Sequence, residues 1–262
     1  MEALISSLLH NTRMGTEEEV MLVLLLAFLP LLLFFTFRAK AGHRVTLRPI
    51  PGYALLKELL ARALETGQSL HLSMGTAGVG GAATAETLAG LAVLEHLADQ
   101  PAVGYVSPLV TVAHPTLLPV AQDVMRRGHE GHGHAEGYDP TRIRLIAPQP
   151  VAYAAGVMDI LEHEDLAANV MIGSFGDEFL LMGETGAKKG VTQIAGAVDP
   201  RTLPFIFASV DHTLLGEEIF AAGAYLSARA AHMGSLRAQD WMRWIIVAAI
   251  IGGVVWKSLG LP

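Results

Sequence analysis

Apolar residues crowd the two ends of the chain and are regularly interrupted between them. Val20 to Phe37 reads VMLVLLLAFLPLLLFFTF, without a charge. At about 1.5 Å per residue such a helix is roughly 27 Å long, close to the hydrocarbon thickness of a bilayer. Pro30 predicts a kink that a membrane helix tolerates. Thr16 and Glu19 stand at capping-box spacing before the run, and Arg38 and Lys40 close it. The acidic Glu17, Glu18 and Glu19 and the lack of a small-residue cleavage site argue against a removed signal peptide. Trp241 to Trp256, WMRWIIVAAIIGGVVW, is the second candidate span. Its uncharged part is short, but tryptophans at both ends suit the interfaces, and Arg243 and Lys257 can snorkel. The expected organisation is a leader over 1–15, transmembrane helices over 16–38 and 239–258, and an α/β domain over 45–232.

Between the spans, short apolar runs alternate with helical stretches. Leu70–Met74, Leu109–Ala113, Ile143–Ala147, Val170–Ser174, Val191–Ala197 and Phe205–Ser209 read as strands. Tyr53–Leu64, Ala83–Leu97, Leu117–Arg127, Val151–His163, a short stretch after Gly176 and Thr213–Ala228 read as helices. Such alternation predicts βαβ units, and near-continuous apolar strands predict helices on both sheet faces. The fold class expected is α/β, Rossmann-like and doubly wound, with a mostly parallel sheet flanked by N- and C-terminal transmembrane helices. Only Val198 to Pro204 separates the fifth and sixth runs, too little for a parallel crossover. Either those two strands are antiparallel or one of them is not a strand.

The segment SLHLSMGTAGVGGAATAETLAGLAVLEHL predicts a strand, a glycine turn and a helix. Gly78, Gly80 and Ala83 match the G-x-G-x-x-G/A spacing of dinucleotide-binding folds, with Gly75 and Gly81 beside them. Glycines permit a tight turn and close approach of backbone to phosphate, and the helix N-terminus attracts an anion. Thr76 and Thr84 add hydroxyls. The pattern departs from that family where a ribose-binding acid is expected after the second strand. There the chain reads Ala113–His114–Pro115, and Asp99 falls after the first helix instead. No GxxxxGK[ST] is present, which excludes a P-loop.

At the carboxyl edge of the sheet, His114, Ser174, Asp177 and Asp211 join Gly75, Thr76, Gly78, Gly80, Gly81 and Thr84 as candidate ligand-binding residues, with His212 beside Asp211. Capping is the competing role for each. Ser174, His114 and Asp211 form a nominal triad, but no nucleophile elbow surrounds the serine. His129, His132 and His134, in GHEGHGHAEG, offer imidazoles to zinc or nickel, or form a solvated glycine loop. The small residues of Thr213–Ala228 suit packing on the sheet or self-association.

Composition narrows the choices. Of 262 residues 52% are hydrophobic and only 16% charged, against about 25% in an ordinary soluble domain. A net charge of −7 and the absence of a basic run exclude nucleic acid as a partner. With no cysteine, thiolate metal sites, haem or iron–sulfur ligation by cysteine and a cysteine nucleophile are excluded. Arg38, Lys40, Arg44, Arg48, Arg229, Arg237 and Arg243 flank the central segment. The positive-inside rule then places that segment in the cytoplasm and both termini outside the inner membrane.

The stretches SMGTAGVGG, TVAHPTLLPVAQD, AANVMIGSFGDEFLL and LLGEEIFAAGAYL resemble an uncharacterised group of bacterial membrane proteins with a domain of unknown function. The resemblance covers about Ser69 to Leu226, implies a bacterial membrane protein and offers no activity. The expected function is an oligomeric structural or scaffold component anchored in the lipid bilayer. The alternatives are a nucleotide or small-anion binding module at Gly75–Ala83 and a membrane-tethered hydrolase or oxidoreductase.

Overall fold

The computed structural model describes residues 16–41, 48–100, 105–227 and 230–258. The leader over 1–15 lies outside the described residues. Two compact units divide the chain, residues 47–228 and the two terminal segments together.

The terminal unit contains α1 (Thr16–Lys40) and α9 (Ala230–Ser258). Both helices are long and apolar enough to cross a membrane by length and composition. The second begins well before the predicted 239, because Ala230 to Asp240 contains no helix breaker except Gly234 and continues the helix. Helix α1 runs unbroken through Pro30.

In the other unit, the elements in chain order are α2 (Pro51–Thr66), β1 (Ser69–Gly75), α3 (Thr84–Ala98), β2 (Leu109–Val112), α4 (Leu117–Gly131) and β3 (Ile143–Leu145). They continue with α5 (Pro150–His163), β4 (Leu166–Ser174), α6 (Phe179–Lys189), β5 (Thr192–Ala197), α7 (Leu203–Ser209), β6 (His212–Leu215) and α8 (Ala222–Tyr225). Pro51, Pro150 and Pro204 sit in first turns, where a missing N–H costs nothing. Gly67 and Gly190 end α2 and α6 in the left-handed conformation.

Six strands form one all-parallel sheet in the order β3-β2-β1-β4-β5-β6. Helices cover both faces, which is why β1, β2, β4 and β5 are buried almost throughout. On one face Leu109, Met171, Ala195 and Ala197 pack with Tyr153, Val157 and Leu161 of α5, Phe179 and Met182 of α6 and Ile206 of α7. On the other, Gly90 of α3 lies so close to the Ile172 carbonyl that a Cβ would fall 2.7 Å from it.

Two elements differ from expectation. Phe205–Ser209 is not a strand: it belongs to α7, and the sixth strand is His212–Leu215. An apolar run of this length has no period that separates strand from helix, and the Thr202–Pro204 entry decides for helix. The Gly190–Val191 turn follows α6, and α7 now supplies the crossover that a parallel β5–β6 pair requires. The predicted helix Thr213–Ala228 is instead β6, a 3-10 turn over Gly216–Ala221 and the short α8. Its small residues Ala221, Ala222 and Ala224 are buried in this unit.

Candidate functional site

The glycine turn joins the end of β1 to α3. Gly75 adopts φ +77, and a Cβ there would lie 2.4 Å from the Ser174 carbonyl oxygen. A Cβ at Gly173 would in turn meet the Met74 carbonyl oxygen at 2.3 Å. The tips of β1 and β4 are thus pinched together, and the Thr76 N–H donates to Ser174 O at 2.9 Å to hold them. Further along, a Cβ at Gly78 would strike the His114 ring at 2.4 Å. His114 follows β2, and its Nδ1 lies 2.8 Å from Thr116 Oγ1, which accepts the Val79 N–H. Thr84 accepts the Gly80 N–H at 2.9 Å and donates to Gly81 O at 2.6 Å. Helix α3 then starts behind Ala83 with no side-chain cap. Gly75, Thr76, Gly78, Gly80, Gly81, Thr84, His114 and Ser174 are therefore assembled at one edge, as the spacing predicts.

Acids surround this edge. Glu86, in the first turn of α3, hydrogen-bonds with Ser174, while its Oε2 is buried without a hydrogen-bond partner. Burial pushes its carboxyl above the usual range, the Ser174 bond opposes this, and the charge of Asp199 adds to the rise. Asp199 follows β5 and receives Arg201 Nη2 at 2.7 Å and the Arg201 N–H at 2.9 Å, which hold it below the usual carboxylate range. The charge of Asp177, exposed after β4, also acts on Arg201. Glu86 and Asp199 were not among the acids singled out from the sequence, because Glu86 lies inside the α3 pattern and Asp199 in a loop where it reads as a turn residue.

Asp211 does not belong to this group. It precedes β6 and accepts the Gln193 N–H at 2.7 Å near the start of β5, so it lies at the amino edge. Its misplacement follows from reading Phe205–Ser209 as the last strand. A Ser174–His114–Asp211 triad is thereby ruled out by distance across the sheet. The three histidines also go to separate partners. Helix α4 extends through Gly131, so His129 is buried within it, with Nδ1 2.9 Å from Met125 O and the ring against Tyr138. His132 Nε2 donates to Asp99 O at 2.9 Å, and His134 meets the edge of Tyr105. Among the described residues no group of three or more His, Asp or Glu converges as a metal site needs.

Beneath the turn runs a polar row with no counterpart in the sequence reading. Gln193 Nε2 donates to Gly183 O at 2.8 Å and Ser209 O at 3.0 Å, leaving Oε1 to accept from Asn169 Nδ2 at 2.9 Å. Asn169 Oδ1 then faces His71 Nδ1 at 2.7 Å, so that nitrogen carries the proton. His71 Nε2 accepts from Thr111 Oγ1 at 3.0 Å, Thr111 Oγ1 lies 2.9 Å from the Tyr153 hydroxyl, which donates to Thr111 O at 3.1 Å, and Ser73 Oγ lies 2.7 Å from the same hydroxyl. His71, Ser73, Thr111, Asn169 and Tyr153 are wholly buried and Gln193 nearly so. Burial lowers the His71 pKa to about 4 and raises that of Tyr153 to about 12. The signal available in the sequence was polar residues inside apolar strands: His71 and Ser73 in SLHLSM, Thr111 in LVTV, Asn169 in LAANV and Gln193 in TQIAG.

No curated protein and no solved structure matches the chain. One family model does, over residues 10–261, described as "Domain of unknown function (DUF6754)". Because that match takes in the glycine turn, the sheet and both apolar terminal helices, the chain belongs to the DUF6754 family.

Proposed function

We propose that the chain is an anchored module of a bacterial inner membrane, with its α/β unit in the cytoplasm, and that this unit binds a small polar ligand over Gly75–Thr84. The observation that carries the reading is the position of the turn. The strand order reverses between β1 and β4, and open α/β sheets collect ligands outside the carboxyl ends of the strands at that point. The order itself is that of the Rossmann-like, doubly wound dinucleotide folds. The two apolar terminal helices support the anchoring.

The ligand class follows from the charges. A phosphate at the start of α3 would meet Glu86, and the one nearby cation named above, Arg201, already serves Asp199. A neutral group rich in donors, such as a ribose or an uncharged nucleoside, suits Ser174, Thr76 and the Glu86 carboxyl better than a polyphosphate. Thermal unfolding of the purified protein in detergent, with millimolar adenosine, NAD, ATP or inorganic phosphate, tests this. Adenosine is expected to raise Tm more than NAD, ATP or phosphate, since a binder stabilises by RT ln(1 + [L]/Kd). No shift with any of the four would remove the reading.

A second reading, an oligomeric structural or scaffold component, is favoured by one feature of the terminal unit. Gly252 and Gly253 of α9 face open space, with Ala248 and Ala249 one turn before them. This small-residue spacing allows close helix association.

A further inference from the structure

Tyr153 stands at the start of α5, in the helix that follows the edge strand β3. Its N–H donates to Gln149 O at 2.8 Å, which fixes the residue where the chain enters the helix. The ring belongs to the buried apolar cluster that includes Leu109, Met171 and Phe179. A phenylalanine would supply the same ring without a polar atom to satisfy. What tyrosine adds at this position is its hydroxyl.

That hydroxyl reaches the carboxyl ends of two strands. It donates to Thr111 O of β2 at 3.1 Å and lies 2.7 Å from Ser73 Oγ of β1. The backbone of Met74 and Gly75 hydrogen-bonds with the same oxygen. Gly75 is where β1 ends and the glycine turn begins, with φ +77 and no room for a Cβ. The next amide, Thr76 N–H, is fixed to Ser174 O of β4. The root of the turn is therefore held twice, by β4 and by a phenol anchored in the core. Further out, the bonds from Val79 N–H to Thr116 and from Gly80 N–H to Thr84 are exposed. Hydrogen bonds buried away from water are the stronger constraint, so the root governs how the turn stands.

We propose that Tyr153 is a positioning residue for the ligand site, whose hydroxyl sets the direction in which the Gly75–Thr84 turn leaves β1. This rests on the ligand-binding reading given above. Tyr153 is wholly buried and touches no ligand itself. It acts through Gly75, and the polar row steadies it in turn, because Thr111 Oγ1 lies 2.9 Å from the phenol and continues to His71.

Tyr153→Phe keeps the ring and removes the hydroxyl. Tyr53→Phe is the control, because Tyr53 is equally buried but its hydroxyl donates to Glu218 O and Ile219 O. Hydrogen exchange of the purified protein in detergent, without ligand, reads the turn directly. Amides of Thr76, Val79 and Gly80 are expected to exchange several-fold faster in Tyr153→Phe and at the wild-type rate in Tyr53→Phe. Unchanged exchange in Tyr153→Phe, or equal acceleration in both variants, overturns the positioning role and leaves the ligand reading intact. Millimolar adenosine, with each Tm measured against the same variant without ligand, reads the consequence. The rise in Tm is expected in the wild type and Tyr53→Phe and should be at least halved in Tyr153→Phe, by weakened binding. An equal rise in all three overturns the positioning role alone. A wild type that adenosine does not stabilise overturns the reading and the positioning role with it. Should Tyr153→Phe not fold, Ser73→Ala, which removes the phenol's partner on β1, is read against the same outcomes.

Discussion

His71 illustrates how a buried side chain is held neutral. Both ring nitrogens are occupied, Nδ1 by Asn169 and Nε2 by Thr111, and burial together with the charge of Arg144 disfavours the imidazolium. Its pKa falls from 6.5 to about 4 in the folded protein. The unfolded chain therefore takes up a proton first as pH drops. The stability supplied by this residue is complete above about pH 6.5, is lost as pH falls towards 4, and amounts to a few kcal/mol. Urea denaturation of the wild type at pH 7, 5.5 and 4.5 is expected to show this loss. His71→Gln should be less stable at pH 7 and should flatten the pH dependence. An equal slope in both would assign the acid sensitivity to another group. At this scale the glycine turn was legible, since Gly75 and Gly78 each mark a place where no Cβ fits. The polar row was not, because a single histidine or asparagine within an apolar strand has no periodicity to announce its neighbours in other strands.

At the scale of elements, the row ties strands that are distant in sequence. His71 is paired in register with Asn169, and Asn169 with Gln193, so one polar side chain from each of three adjacent strands lies at the same height. Slipping any strand by one residue would turn its member to the opposite face and strand the partners unpaired. Asn169→Ala leaves the His71 N–H and the Gln193 side-chain carbonyl without partners and should cost about 2–6 kcal/mol, at about 1–3 kcal/mol for each buried unsatisfied group. Chemical denaturation with an unchanged m-value would confirm a loss of native interactions; a cost below 1 kcal/mol would show that water or a neighbour replaces the amide. Five of the six strands and most helices were readable from apolar runs and their glycine and proline boundaries. The sixth strand was displaced by a few residues, since LPFIFAS satisfies a strand and a short buried helix equally well. That displacement carried Asp211 to the wrong edge, an error of element type that became an error of chemistry.

At the scale of the molecule, protection against hydrogen exchange should grade from the middle of the sheet outwards. The slowest amides are expected in Leu70–Ser73 and Ala168–Ile172, which are buried and paired on both sides. The edge strands β3 and β6 and the 3-10 turn at Gly216–Ala221 should exchange sooner. If the fastest amides instead lay in β1 or β4, the middle of the sheet would not be its most stable part. The pinch between β1 and β4 gives the graded pattern a mechanical meaning. A cleft that opens by parting two strands needs slack at their tips, and here the Gly75–Ser174 and Gly173–Met74 contacts leave none. The rim is fixed, so an arriving molecule must fit the pinched tips of β1 and β4 as they stand.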